Sequence, residues 1–340
     1  MALNDLSKLT TLGVGGSATK IIHITSEAQL ISSVIDADNS KTPLLILGGG
    51  SNVLISDDGF AGTVLRVETT GNSYEIDACS GGTITVSAGS DWDEFVLFTI
   101  DKGLANLESL SGIPGTVGGA PIQNIGAYGH EVAEVIARVR TFDRTVQEIK
   151  TFTASECGFS YRSSIFKESA GRYVILDVTF QLRLGEDSLP IGYTELAAEL
   201  GVEIGARVSI VKVRAAVLKL RGAKGMLVGL GINSAGSFFM NPILEIAEAE
   251  NLPSGAPRWP TVDGKIKTSA AWLMENAGVR KGDRLAGAQI SPKHVLALSN
   301  SGDATAKDLV ELAKSAQAKV KEKFGITLQS EVQLVGLTLN

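Results

Sequence analysis

A glycine-rich stretch at residues 110–130, LSGIPGTVGGAPIQNIGAYGH, carries the groups best suited to bind a phosphate. Its glycines let backbone N–H groups approach an anion or a flat ring, and Pro114 and Pro121 fix local turns. This composition excludes a long helix or a central strand, so the stretch, termed the central loop, is predicted to be a shaped loop. A mobile linker is the alternative, but the isoleucine and valine residues within it are poorly suited to a solvated tether.

A second glycine cluster, Gly48-Gly49-Gly50-Ser51-Asn52, lies between two short apolar runs, 44–47 and 53–55. The pattern predicts a buried strand, an anion-binding turn and another strand. Two loops of this kind indicate a ligand that contains a pyrophosphate.

Residues 13–18, GVGGSA, formally satisfy the dinucleotide fingerprint G-x-G-x-x-A. The context contradicts that reading, because no strand of useful length precedes the motif and the apolar run 21–24 after it predicts a strand where the fingerprint requires a helix. A Rossmann domain is therefore not expected here.

Four motifs together resemble the UDP-N-acetylenolpyruvoylglucosamine reductase family. They are GGGSN at 48–52, IPGTVGG at 113–119, QNIGAYG at 123–129 and GSFFMNP at 236–242. They occur in the family's order, and the resemblance covers nearly the whole chain. It implies an NADPH-dependent flavoenzyme that reduces an enolpyruvyl UDP-sugar to UDP-N-acetylmuramate in peptidoglycan precursor synthesis.

The resemblance also implies an α+β architecture: an FAD-binding fold of the vanillyl-alcohol-oxidase (PCMH) type, followed by a smaller α+β substrate-binding domain. We expect the first domain at 1–204, with a small α/β lobe to about residue 60 and a strand-rich lobe after it, and the second at 205–340. FAD is expected to bind non-covalently, and NADPH is the expected reductant. The implied cofactor-binding residues are Gly48, Gly49, Gly50, Ser51, Asn52, Ser111, Gly112, Ile113, Pro114, Gly115, Thr116, Gly118, Gly119 and Gly126.

Three residues match the family's catalytic positions: Arg162, Ser237 and Glu331. The planar guanidinium of Arg162 suits the substrate carboxylate, on which charge grows when hydride arrives. Ser237 would protonate the neighbouring carbon, and Glu331, carried back by the last strand, would act in protonated form or orient Arg162 or a water. Without the resemblance, a solvated surface arginine and a turn or cap serine are the ordinary interpretations.

The resemblance further implies contacts with the sugar nucleotide, and Tyr193 matches the tyrosine loop of one subgroup. Tyrosine suits a diphosphate because it pairs an apolar face with a donor hydroxyl. Met240 departs from the lysine that many relatives carry after Gly-Ser-Phe-Phe, so another cation must replace it. The candidate substrate contacts are Gln123, Tyr128, Tyr161, Tyr193, Arg214, Lys219, Asn241 and Gln289.

Capping and periodicity predict the elements that carry these residues. Helices are expected at 26–38, from about 92 to a stop at Gly103, at 268–276 and at 305–324, with a short one between Thr153 and Gly158. Strands are expected at 63–67, 74–78, 83–88, 138–143, 145–152, 173–184, 206–216 and 331–335.

Composition narrows the class of protein further. A net charge of -6 over 340 residues argues against nonspecific binding to nucleic acid. No apolar run reaches the length of a membrane span, the N-terminus lacks a signal-peptide pattern, and two distant cysteines fit a reducing compartment. A cytoplasmic location, no metal site and no obligate protein partner are expected.

Two other functions stay open at this point. An oxidase of the same flavin fold would use oxygen and an alcohol or sugar, although the loop at 48–52 lacks the histidine to which such oxidases often attach flavin. A nucleotide-binding module without turnover is the other, but it does not explain the joint match of Arg162, Ser237 and Glu331.

Overall fold

The structure, a computed structural model, describes residues 4–229 and 232–339. Its α-helices are α1 (Glu27–Asn39), α2 (Trp92–Asp101), α3 (Ile165–Glu168), α4 (Thr194–Leu200), α5 (Ile210–Ala223), α6 (Ile246–Glu250), α7 (Ala270–Asn276) and α8 (Ala306–Phe324). Its strands are β1 (Ala18–Ile24), β2 (Leu44–Leu47), β3 (Val53–Ile55), β4 (Phe60–Val67), β5 (Asn72–Asp77), β6 (Gly81–Ser87), β7 (Leu104–Ala105), β8 (Gly126–Ala127), β9 (His130–Glu131), β10 (Ile136–Asp143), β11 (Glu148–Thr153), β12 (Tyr173–Leu184), β13 (Asn233–Ser237), β14 (Ile243–Leu244), β15 (Trp259–Pro260), β16 (Ile266–Lys267), β17 (Arg284–Leu285), β18 (Ala288–Ile290), β19 (Ala297–Asn300) and β20 (Gln333–Val335).

The chain forms two compact units, each built from separate stretches of sequence. The unit that contains Arg162, here the arginine unit, comprises Ala18–Gly50 and Ala61–Leu227. The unit that contains Ser237, here the serine unit, comprises Met1–Ser17, Ser51–Phe60 and Val228–Asn340.

In the arginine unit, the main sheet has the strand order β11-β10-β12-β6-β5, with antiparallel neighbours. Strand β12 is apolar along most of its length because it lies between two neighbours and is buried on both faces. Helix α2 covers the sheet through Trp92 and Phe95, and the rings of Phe95 and Phe180 lie 4.8 Å apart. A smaller sheet, β1-β4-β2, packs with α1, and α4 packs with α5.

The serine unit contains a sheet of order β13-β19-β18-β17, a second sheet β14-β16-β15 and the parallel pair β20-β3. Helix α8 buries Leu309, Leu312 and Val320 in its core. A reciprocal capping box at Thr305 begins this helix, and left-handed Gly325 ends it. Across the described residues, no helix is long and apolar enough to cross a lipid bilayer.

Most elements with strong sequence signals form as predicted. Helices α1, α2 and α8 match their expected spans, β12 matches 173–184, and a capped turn of helix ends at left-handed Gly158. The strand after the G-x-G-x-x-A motif is β1, as expected from the argument against a Rossmann domain.

The predicted strand at 206–216 is wrong, because these residues belong largely to α5. Its buried residues recur at helical spacing: Ile210, Val213, Ala216 and Val217. Residues 221–225, whose two glycines predict a turn, contain the last turn of this helix and the residues after it.

The compact units also differ from the predicted domains 1–204 and 205–340. Helix α5 shares a core with Leu196 of α4, so the chain as far as Leu227 belongs to the arginine unit. Strand β3 pairs with β20, so residues 51–60 belong with the C-terminal part of the chain.

Candidate active site

Two glycine loops meet backbone to backbone within the arginine unit. A Cβ atom added to Gly49 would lie 2.6 Å from the Cα of Gly115, and one added to Gly48 would lie 2.5 Å from the Oγ1 of Thr116. The positions of Gly48 and Gly49 leave no room for larger side chains, so the backbones of the two loops are in close contact there. The two loops therefore lie next to each other.

Charged side chains fix the start of the central loop. The N–H of Gly112 donates to Asp93 (2.6 Å), and the carbonyl of Gly112 accepts from the Nε of Arg221 (3.0 Å). Arg214 holds the same aspartate with two bonds of 2.7 and 2.8 Å. Burial alone would raise the pKa of Asp93, but bonds from Arg214 and Gly112 and the charges of both arginines lower it.

The loops fit a group that carries a pyrophosphate. Gly50, Gly112 and Gly115 adopt left-handed or related positive-φ conformations that favour glycine. Gly119 is exposed, and an added Cβ would meet only the Oγ1 of Thr116 at 3.9 Å, so its backbone faces open space. The hydroxyl of buried Ser111 donates to the carbonyl of Glu108 (2.7 Å), which commits that hydroxyl to the loop itself.

The remaining predicted cofactor residues of the central loop pack in different ways. Ile113 contacts the main core, and Pro114 is half-buried. The N–H of Gly118 donates to the carbonyl of Ala88 (2.8 Å), and an added Cβ there would lie 2.6 Å from the Cβ of Ala88. These contacts hold the loop against the end of β6.

Tyr128 and Tyr193 form a second feature of the arginine unit. Their rings are 5.5 Å apart in an edge-to-face arrangement, and the Nζ of Lys224 lies 5.8 Å from the ring of Tyr128. Tyr128 has φ +51° at the tip of the β8–β9 hairpin, where asparagine or glycine is usual. Burial raises the pKa of Tyr128 to about 12, against the opposing charge of Arg221, so its hydroxyl remains a proton donor.

Arg162 is also left-handed, with φ +55°. It lies in a tight turn closed by reciprocal 3.1 Å backbone bonds between Ser160 and Ser163. Its guanidinium donates to the carbonyls of Gly126 (2.8 Å) and Asn124 (3.3 Å). A non-glycine residue held in this conformation is a frequent mark of a functional site.

In the serine unit, backbone pairing brings Ser237 and Glu331 together. Ser237 ends β13, and the carbonyl of the next residue, Phe238, accepts from the N–H of Glu331 (2.8 Å). The side chain of Asn52 donates to the carbonyl of Glu331 (3.1 Å). Three predicted residues from distant sequence positions therefore meet in this unit.

The other predicted contacts divide between the two units. In the arginine unit, Tyr161 stacks 5.2 Å from the guanidinium carbon of Arg162, Gln123 is half-buried in the central loop, and exposed Lys219 pairs with Glu199.

In the serine unit, the side chain of Asn241 accepts from the first N–H of α7 (2.9 Å). Gln289 accepts from Arg284 (3.1 Å) and lines a cleft of about 270 Å³ with Asn233 and Asn300.

Comparisons with known proteins identify the family. A model described as "UDP-N-acetylenolpyruvoylglucosamine reductase, C-terminal domain" matches residues 229–335, and one described as "FAD binding domain" matches residues 18–151. Two relatives named UDP-N-acetylenolpyruvoylglucosamine reductase, from Cutibacterium acnes and Thermobifida fusca, are 49% and 46% identical. Each aligns with 98% of this chain, and the alignments cover 90% and 97% of the relatives.

The chain belongs to the UDP-N-acetylenolpyruvoylglucosamine reductase family. A solved reductase structure from Thermus caldophilus is 26% identical, with a TM-score of 0.68 and 97% coverage of both chains. The predicted family, fold class, oxidoreductase activity and FAD cofactor are confirmed. Membership of this family favours a reductase over both alternatives, a non-catalytic module and an alcohol oxidase.

Sequence reasoning missed four residues that the geometry places at these loops: Asp93, Asn124, Arg221 and Lys224. The glycines on either side of Lys224 predict a turn at Arg221 and Lys224. Their i, i+3 spacing at the end of a helical pattern was the available signal, because it brings both cations to one side of the last turn.

Proposed function

We propose that this protein reduces the enolpyruvyl ether of UDP-N-acetylglucosamine to UDP-N-acetylmuramate, a step in the synthesis of peptidoglycan precursors. Family membership over almost the whole chain and the FAD-binding match support this function. When bound, FAD would supply the hydride transfer from NADPH to the methylene carbon of the substrate. The two apposed glycine loops are the proposed seat of its pyrophosphate.

Arg162 has the role of binding the substrate carboxylate. Negative charge moves onto the carboxylate oxygens as hydride reaches the methylene carbon, and a fixed guanidinium stabilises that charge. The carbonyls of Gly126 and Asn124 already orient the guanidinium, so little reorganisation is needed when substrate binds.

Ser237 has the role of the proton donor to the carbon next to the carboxylate. A serine hydroxyl is a weak acid, so it serves only where the accepting carbon is strongly basic and neighbouring groups replace its proton. Glu331 is the proposed neighbour, either as a protonated carboxyl or as a carboxylate that orients a water molecule. The 2.8 Å bond from its N–H to the carbonyl of Phe238 supports this pairing.

Tyr128, Tyr193, Arg221 and Lys224 are the proposed contacts for the substrate diphosphate. Burial raises the pKa of both tyrosines, so their hydroxyls remain donors. The two cations supply positive charge beside Tyr128. Arg214 is less suited than expected because Asp93 occupies its guanidinium. Lys219 and Lys224 each pair with a glutamate, but Lys224 also lies beside the ring of Tyr128, whereas Lys219 is exposed.

Several predictions remain part of this proposal. They are substrate contacts by Gln123, Tyr161, Asn241 and Gln289, flavin contacts by Ser51 and Asn52, and the assignment of flavin binding to 1–204 and substrate binding to 205–340. The cytoplasmic location also remains a prediction.

The observation that carries the catalytic assignment is the backbone bond from Glu331 to Phe238, the residue after Ser237, because it joins two motifs that are far apart in sequence. Anaerobic spectroscopy of the purified protein tests the function. NADPH should bleach the yellow flavin, and the enolpyruvyl UDP-sugar should restore the colour without oxygen. A colourless protein that cannot be reconstituted with FAD, or reduced flavin that the sugar nucleotide does not reoxidise, would contradict the proposal.

A further inference from the structure

Asn124 is a buried, left-handed residue whose side chain joins three segments of the arginine unit. It is 1% exposed and has φ +46°. Its Nδ2 donates to the Oε2 of Glu131 (2.7 Å) and to the carbonyl of Ser160 (3.1 Å), while its Oδ1 accepts from the N–H of Ala133 (3.1 Å). A single amide therefore joins residue 124 to residues 131 and 133, at the end of the β8–β9 hairpin, and to the turn that carries Arg162.

The main chain of the same residue reaches the guanidinium of Arg162. Nη1 of Arg162 donates to the carbonyl of Asn124 (3.3 Å), and Nη2 donates to the carbonyl of Gly126 (2.8 Å). Asn124 thus contacts Arg162 once, through its carbonyl, and also restrains the turn that carries the arginine. Its side chain holds the turn at Ser160, and its carbonyl holds the charged group.

The turn needs such support because its conformation is unfavourable. Arg162 occupies a left-handed position that glycine or asparagine usually takes in a turn of this shape. Lys167 supplies another restraint, since its Nζ donates to the carbonyl of Arg162 (2.8 Å), and Ser164 donates through Oγ to the carbonyl of Ile122 (2.6 Å). The amide of Asn124 is the buried restraint that joins this turn to the hairpin.

We propose that Asn124 is a positioning residue for the reaction, which acts by fixing the direction of the Arg162 guanidinium. The proposal rests on the proposed function, because it takes from there the role of Arg162 toward the substrate carboxylate. In the proposed role, Asn124 itself does not contact the reacting atoms.

The substitution Asn124→Gly tests the proposal sharply. Glycine tolerates the left-handed backbone and keeps the carbonyl, so only the amide bonds are lost. We expect reoxidation of reduced flavin by the sugar nucleotide to slow ~10-fold. This factor corresponds to losing the free energy of about one hydrogen bond that orients Arg162. Flavin content and reduction by NADPH should stay unchanged. Asn106→Gly is the matched control, since Asn106 is left-handed in the same unit and its N–H bonds to Glu108.

A double-mutant cycle with Arg162→Ala separates the positioning role of Asn124 from the role of Arg162 itself. If Asn124 acts through Arg162, Asn124→Gly has no further effect on reoxidation once the guanidinium is gone. Independent, multiplying effects would overturn the proposal for Asn124 while leaving the role of Arg162 intact. Normal reoxidation by Arg162→Ala alone would instead overturn the proposed function of that arginine.

Asn124→Asp provides a second readout that does not depend on the folding of the glycine variant. A carboxylate keeps the acceptor for Ala133 but cannot donate to the carbonyl of Ser160, and it repels Glu131. Reoxidation should recover as the pH falls, because a protonated carboxyl donates again. A pH profile parallel to that of the unsubstituted protein would count against the positioning role.

Discussion

The two compact units hold their candidate site residues by different means. In the serine unit, main-chain bonds place Ser237 and Glu331, through the β13–β19 ladder and the bond from Glu331 to Phe238. In the arginine unit, Arg162 and Tyr128 are left-handed, and side chains such as Asn124 hold the surrounding turns. Substitutions near Ser237 should therefore matter only at reacting atoms, whereas substitutions near Arg162 should matter even at residues that never touch substrate.

The largest effect is expected from Ser237→Ala, which removes a reacting group but no backbone bond. Reoxidation by the sugar nucleotide should slow ~10²–10⁴-fold, the usual contribution of a general acid, with flavin reduction by NADPH nearly unchanged. Stopped-flow absorbance measures both steps. Ser234→Ala, on the same strand, is the control. Equal slowing of both half-reactions would contradict the role of Ser237. It would also contradict the difference drawn between the two compact units.

Arg162→Lys keeps the positive charge but removes the planar fork. A lysine cannot bond to the carbonyls of Asn124 and Gly126 while it also presents two parallel donors to a carboxylate. Loss of one charged hydrogen bond predicts ~10–10²-fold slower reoxidation. Single-turnover reoxidation at saturating sugar nucleotide checks this. A rate within a factor of ~2 of the original would show that charge alone suffices.

Gly126→Ala tests the claim that the arginine unit depends on residues beside the reacting ones. The added Cβ would lie 2.8 Å from the carbonyl oxygen of His130 and 3.1 Å from the Nη1 of Arg162. Overpacking of this kind should lower the free energy of unfolding by ~1–3 kcal/mol and slow reoxidation ~10-fold. Urea unfolding and single-turnover rates measure the two effects. Gly255→Ala is the control, because an added Cβ there meets nothing within 4 Å.

Tyr128→Asn should separate strain from function. Asparagine suits the left-handed hairpin position, and relief of strain should offset the loss of the ring pair with Tyr193, so the unfolding free energy should change by less than ~1 kcal/mol. The KM for the sugar nucleotide should rise ~5-fold, with kcat little changed, if the tyrosine contributes only binding. Steady-state kinetics decide. A lower kcat with an unchanged KM would assign Tyr128 to the chemical step.

The smallest effect concerns pH. The hydrogen bond from His130 to Glu134 (2.9 Å) raises the pKa of His130 against the effect of burial, and the charge of Glu134 adds to the rise. The native state thus binds the proton more tightly than the unfolded state. The stabilisation is fully present below the unfolded pKa near ~6.5 and is lost as pH rises through the folded pKa.

Urea unfolding of the original chain and of Glu134→Gln at about pH 6 and pH 9 measures this contribution. The difference between the two proteins should be ~0.5–1 kcal/mol at the lower pH and should shrink at the higher one. Main-chain bonds in the serine unit do not titrate, so Ser234→Ala should show no such trend. A difference that grows with pH would mean that His130 stabilises the hairpin only when neutral.

Local signals predicted much of the fold because they act through neighbouring residues. The capping box at Thr305 and the stop at Gly325 define α8 without help from the rest of the chain. Helix α5 escaped prediction because Ser209 makes no side-chain cap and valine and isoleucine are frequent at its start, which favours a strand. Its helical state depends on packing against α4, which local sequence does not reveal.

The same distinction applies to the candidate site. Motif residues such as Arg162 and Ser237 could be named from sequence, whereas their conformations could not. A left-handed arginine is unfavourable locally, and bonds with Asn124, Gly126 and Lys167 stabilise it. The salt bridge between Arg214 and Asp93 also joins residues that are far apart in the chain, so local sequence does not reveal it.

The parallel pairing of Val53–Ile55 with Gln333–Val335 makes the order of synthesis matter. During translation, the early strand leaves the ribosome long before its partner exists, so the serine unit cannot close until residues 333–335 have been made. The arginine unit needs nothing beyond Leu227 and can fold first. A ribosome-bound nascent chain stalled after Leu227 has left the exit tunnel, but before Gln333 is made, should already protect β12 from proteolysis, while Val53–Ile55 remains open to cleavage.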